Sequence, residues 1–144
     1  MRLFGIVLQV AQRLVGVEVG NQLEAVANGT AKRIIKPNQV FSRIHLADIA
    51  GILEASIVKP NPGRVYNVAD DEPAPPQDVV AFAAKLLGRP APPEVPFEEA
   101  ELSPMGRSFY AESKRVDNRR IKRELGYELV YPTYREGLTA LHRT

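Results

Sequence analysis

Alternation is the feature that most constrains this chain. Short runs of β-favouring residues are separated by segments whose apolar residues recur at helical spacing, and Gly or Pro closes most of them. Arg33–Lys36, Gln39–His45 and Arg64–Val68 read as extended. Asn21 caps a short helix over Gln22–Asn28 that ends at Gly29. From Asp48 to Ile57, Ile49, Ile52, Leu53 and Ile57 fall at helical intervals. Pro76 opens a second such segment, with Val79, Phe82, Ala83, Leu86 and Leu87 on one stripe and Gly88 and Pro90 at its end. Asp117 caps a helix bearing Ile121 and Leu125, stopped by Gly126. Thr133 and Glu136 form a capping box for a last helix carrying Tyr134, Leu138 and Leu141. Between them, residues 89–110 hold five prolines and read as one long surface loop. Strand and helix in alternation predict an α/β fold.

With 144 residues, 44% of them hydrophobic, the chain can bury a core without a staple. It contains no cysteine, so disulfide frameworks and thiolate metal sites are excluded, which suits the cytoplasm. A net charge of +2 is too small to announce a nucleic-acid or membrane partner. The apolar start Leu3–Leu8 is broken at Gln9 and lacks a cleavage signature, so secretion is not expected. No run approaches the roughly 18 apolar residues of a membrane span, and a soluble cytoplasmic protein is expected.

Several segments in succession resemble the C-terminal region of extended short-chain dehydrogenases/reductases, the NAD-dependent epimerase/dehydratase family. They are Phe41–Asp48, then Val65–Val68 with Asp70–Pro73, then Glu124–Tyr127 followed by Tyr131, Pro132 and Glu136–Leu138. Arg2–Ile6 resembles the last core strand of that family's cofactor domain. The resemblance implies a Rossmann-type α/β fold of which residues 21–144 form the substrate-binding region. Residues 1–20 are then a remnant of the last cofactor-domain strand plus an unassigned stretch, Val7–Gly20. Leu3, Phe4, Ile6, Val7, Leu8 and Val10 would need a neighbouring sheet, and self-association through this segment is expected.

Dinucleotide binding needs a glycine-rich turn whose backbone N–H groups approach a pyrophosphate. No Gly-x-Gly occurs in this sequence. The expectation is a chain that lacks the N-terminal cofactor half and is inactive alone, with NAD or NADP implied by the family only. Tyr110 and Lys114 spell the family's Tyr-x-x-x-Lys catalytic signature, but they stand far downstream of its place and in an extended context. They are read as a surface tyrosine and lysine, and no catalytic residue is assigned.

Arg43 and His45 share one face of their strand. In the resembling family this strand borders the substrate cleft, so both are expected to contact a sugar-nucleotide-like or other small polar substrate. Family members that take nucleotide sugars place their arginine where this chain has Phe41. Asp48 sits in the first turn of its helix, where the dipole favours it. Asp70, Asp71 and Glu72 lack companions at a cage-like spacing and read as a solvated turn, and no metal site is assigned. The run Lys114–Arg123 holds six cations against Asp117 alone. It frames the alternative, a non-catalytic α/β binding module whose basic patch takes an anionic ligand or nucleic acid, though no aromatic residues interleave to stack bases.

Overall fold

A computed structural model describes residues 7–10, 13–15 and 22–144. The strands are β1 (Val7–Val10), β2 (Arg13–Val15), β3 (Arg33–Ile35), β4 (Arg43–His45), β5 (Val65–Val68) and β6 (Glu94–Pro96). The helices are α1 (Gln22–Ala27), α2 (Leu46–Val58), α3 (Pro76–Leu86), α4 (Pro104–Ser108), α5 (Arg119–Leu125) and α6 (Tyr134–Arg143). All strand pairs are parallel: β1 with β5, β2 with β4, and β3 with β6. The α/β expectation holds.

Where the sequence supplied local instructions, elements follow them. Pro76 opens α3, Gly126 closes α5 at φ 64°, and Thr133 and Glu136 complete the capping box of α6. Two apolar clusters result. Leu23 and Val26 of α1, Val79, Val80 and Ala83 of α3, and Tyr134 and Leu138 of α6 form one. Ile44, Ile52, Tyr66, Val68, Ile121 and Leu125 form the other, between β4, α2, β5 and α5. Each fully buried aliphatic side chain contributes about 1.5–3 kcal/mol.

Four expectations are corrected or relocated. The segment read as a loop over 89–110 contains β6, a 3-10 turn (Phe97–Glu99) and α4. Pairing of β6 with β3 supplied the partner that its proline-rich sequence could not reveal. On α2, Leu53 and Ile57 face outward, and the buried side is Asp48, Ile52 and Ser56. Hydropathy placed Ile52, and Ile49 which packs against the same cluster, but missed the rest of the inner stripe because a carboxylate and a hydroxyl occupy it. Strands also form at Val7–Val10 and Arg13–Val15, within the unassigned stretch. The family-like strand Arg2–Ile6, and with it Leu3, Phe4 and Ile6, lies outside the described residues.

Asp48 explains the inner stripe of α2. Its carboxylate is fully buried and accepts from Tyr127 Oη at 2.8 Å, Val130 N at 2.8 Å and Tyr131 N at 3.0 Å. Three donors offset the desolvation that would otherwise forbid a carboxylate there. One turn on, Gly51 lets the Tyr127 ring lie across the helix: a Cβ at 51 would sit 2.3 Å from Tyr127 Oη. Gly51→Ala should therefore cost about 1–3 kcal/mol in denaturant unfolding. Removing the ring with Tyr127→Ala should make the double variant less damaged than the two single losses added together. Strict additivity would show that helix and ring do not compete for this space.

Candidate functional site

In parallel sheets, ligands gather beyond the carboxyl ends of strands. β4 ends at His45 and β5 runs out through Ala69 into Asp70, and these ends lie side by side: Asp70 N donates to the Arg43 carbonyl at 2.6 Å. Phe41 and Ala74 close the joint by exchanging backbone hydrogen bonds at 3.0 and 3.2 Å.

Arg43 lies inside this joint. It is 3% exposed, and its Nη1 donates to the carbonyls of Phe41 at 2.9 Å and Ala74 at 3.1 Å. The guanidinium thus staples two backbone segments that the sequence keeps 33 residues apart, from 41 to 74. His45, on the same strand, turns outward. Its Nδ1 accepts from Ala47 N at 3.1 Å and so caps α2, and its ring lies on Tyr131 with centroids 3.9 Å apart. The imidazole is therefore the Nε2–H tautomer, and that nitrogen is buried with no hydrogen-bond partner among the described residues. Burial lowers the His45 pKa, opposed by the nearby charge of Asp48. Beyond Tyr131 opens a groove of about 490 Å3 lined by Tyr131, Arg135, Glu136, Thr139, Ala140 and Arg143.

The acidic turn is not the solvated one expected. Asp70 is 3% exposed and receives the Glu72 N–H at 3.0 Å. Asp71 accepts from Asn118 Nδ2 at 2.8 Å and Lys122 Nζ at 2.6 Å, and Glu72 pairs with Arg135. The turn is the junction between β5, α5 and α6. Among the described residues, no three His, Cys, Asp or Glu side chains gather as a metal-holding group.

Tyr110 is a further correction. It is buried, edge-on to Phe41 at 5.2 Å and stacked with Phe97 at 5.1 Å, whereas Lys114 is exposed and pairs with Glu112. No helix joins the two, so the lysine is not set one turn from the phenol. The segment around them instead runs along residues 36–42. Lys36 reaches the Tyr110 carbonyl, Gln39 that of Glu112 at 2.8 Å, and Ser42 that of Lys114 at 3.1 Å while accepting from Val116 N at 3.0 Å. Gln39, Ser42 and Asn118 were not singled out from sequence. Gln39 and Ser42 flank the apolar pair Val40–Phe41, a faint signal, whereas Asn118, between Asp117 and Arg119 in a charged run, gave none.

The basic run is largely matched by its own neighbours. Arg119 meets Asp117 at 2.5 Å, Lys122 meets Asp71 at 2.6 Å, and Arg120 stands 3.9 Å from Glu124 and donates to the Val65 carbonyl at 2.9 Å. A dinucleotide does not fit the one direct strand-to-helix junction among the described residues, β4 into α2. Leu46, Ala47 and Asp48 follow there in place of glycines, His45 already occupies the cap, and the Asp48 carboxylate would oppose a pyrophosphate. The positive-φ glycines, Gly29, Gly63, Gly88 and Gly126, follow helices or precede a strand.

Burial raises the Asp70 carboxyl to about 7, with the Glu72 N–H and the Arg43 charge opposing it. The folded state thus prefers the neutral acid. Stability is greatest below the unfolded value of about 3.9 and is lost as pH rises through about 7. Asp70→Asn, a neutral isostere that keeps an acceptor for Glu72, should be more stable than the parent at pH 8 by up to about 4 kcal/mol and nearly equal to it at pH 4. Urea unfolding at both pH values measures this, and equal differences at both would refute it. Arg43→Met should cost about 1.5–3 kcal/mol at pH 4, from the lost charged donor, and more at pH 8, where ionised Asp70 also loses its neighbouring positive charge.

No family model matches this chain. A protein of unknown function from Silicibacter pomeroyi DSS is 56% identical and superimposes with a TM-score of 0.88 over 94% of this chain and 48% of its own. A human epimerase family protein solved with NADPH is 23% identical, with a TM-score of 0.76 over 96% of this chain and 48% of its own. A 3-diazoavenalumate denitrifying reductase from a Streptomyces species is 30% identical over 104 residues, which are 69% of this chain and 33% of the reductase. The chain thus spans about half the length of the structures it matches and a third of the curated relative. Structural neighbours also include a dTDP-glucose 4,6-dehydratase and a UDP-glucose 4-epimerase, each solved with NAD. The fold of this chain is the one these epimerase and dehydratase structures share.

Proposed function

We propose that this chain is the substrate-side region of an NAD(P)-dependent epimerase, dehydratase or reductase acting on a sugar-nucleotide-like or other small polar substrate. One observation carries the reading. Nearly the whole chain superimposes on proteins of that class, while its direct strand-to-helix junction is built against a pyrophosphate. The cofactor and the proton-transferring groups are then supplied by sequence outside these residues, and residues 21–144 contribute cleft wall. In this reading Arg43 acts from the floor, holding the ends of the Phe41 and Ala74 segments. His45 backs the cleft wall through its ring contact with Tyr131, which lines the groove. A basic-patch binding module is the less favoured alternative, because most cations of that patch already face carboxylates. No helix among the described residues is long and apolar enough to cross a membrane.

Calorimetric titration of the 144-residue chain with NADH and NADPH should show no binding. Micromolar affinity for either would overturn the assignment of the cofactor to other sequence. Self-association through the N-terminal apolar segment belongs to the same reading, and light scattering that finds only monomer would remove it.

A further inference from the structure

The β4–α2 junction is closed by a side chain whose hydrogen bonding depends on its protonation. His45 Nδ1 accepts the Ala47 N–H at 3.1 Å, its ring lies 3.9 Å from that of Tyr131, and Nε2 is buried without a partner among the described residues. Tyr131 is itself fixed to α2, because its N–H donates to Asp48 at 3.0 Å. One imidazole therefore touches both the first turn of α2 and the turn that follows α5.

We propose that His45 is a proton-operated latch: neutral, it caps α2 and holds Tyr131 over the helix start; protonated, it is expelled and frees both. An imidazolium has two N–H donors and no acceptor. At Nδ1 the new proton would face the Ala47 N–H, donor against donor. At Nε2 the buried proton has no acceptor among the described residues to share the added charge. The N-terminus of the 13-residue α2 also disfavours a cation, since its free N–H groups present positive potential. Asp48, on the same helix, is the charged group whose field favours protonation, but its oxygens are committed to Tyr127, Val130 and Tyr131. Of the other groups nearby, Arg43 on β4 is turned to the Phe41 and Ala74 carbonyls, Arg135 of α6 pairs with Glu72, and Tyr131 offers its ring face. Desolvation lowers the His45 pKa, as this geometry requires.

The sign is opposite to that of Asp70. A depressed histidine contributes stability that is complete above its unfolded value of about 6.5 and is lost as pH falls through the folded value. The latch opens on acidification and needs neither ligand nor cofactor, so it stands apart from the proposed function. Tyr131 lines the groove beneath it, and opening would alter that wall.

The test is a pH titration by NMR of the full chain carrying Asp70→Asn, which removes the competing carboxyl. The two histidines are distinguished with His142→Gln. The expected result is an Nε2–H tautomer for His45, titrating below about 6.5. The Ala47 amide should lose exchange protection, and the Tyr131 ring resonances should shift, at the same midpoint. His45→Asn supplies a non-titrating cap acceptor and should hold the Ala47 amide protected across the range. An Nδ1–H tautomer, a midpoint at or above about 6.5, or an Ala47 amide and a Tyr131 ring that ignore the His45 titration would each overturn the latch. These readouts need only the histidine-bearing protein, so the idea remains testable even if His45→Asn does not fold.

Discussion

A buried carboxylate organises the half of the molecule around α2. Asp48 has no exposed surface and accepts from one phenol and two backbone amides, all supplied by residues 127–131. A bare charge in that position would be prohibitive, so helix and turn must arrive together. Once they do, Tyr127 lies over Gly51, Tyr131 lies against His45, and Pro132 receives the Asp71 N–H at 2.9 Å. The end of the chain is thus locked to the carboxyl ends of β4 and β5.

The polar interior follows one economy. Arg43, Ser42, Gln39 and Asn118 all use their side chains on backbone carbonyls of distant segments, Arg43 on that of Ala74. Segments 36–42 and 110–116 run together without forming a ladder, so side chains satisfy carbonyls that a sheet would have satisfied. This is why the proline-rich region between 89 and 118 is ordered in spite of its composition. It also explains why Tyr110, which matches a catalytic motif in letters, serves as packing between Phe41 and Phe97.

Two ionisable groups at the strand ends pull in opposite directions. Asp70 is held toward its neutral acid by burial, and His45 toward its neutral base by the same cause. Low dielectric penalises whichever form carries charge. The joint is therefore most comfortable when both are uncharged, although Arg43 stands beside them.

The sequence by itself determined what short-range rules can carry. The helix starts at Pro76 and Thr133, the stops at Gly88 and Gly126, and the alternation that makes the chain α/β were all legible because capping and turn chemistry act within a few residues. The ordered succession of motifs from Phe41 to Leu138 pointed to the fold that the structural neighbours share. Tertiary structure alone decided that Asp48 would join Ile52 on the inner face of α2, because a carboxylate could enter the core only with donors from residues 127–131 in place. It alone decided that β6 would find β3, that the acidic turn would become a junction, and that Arg43 would staple Phe41 to Ala74. Each of these depends on partners between 31 and 83 residues away, a separation across which the local pattern carries no information.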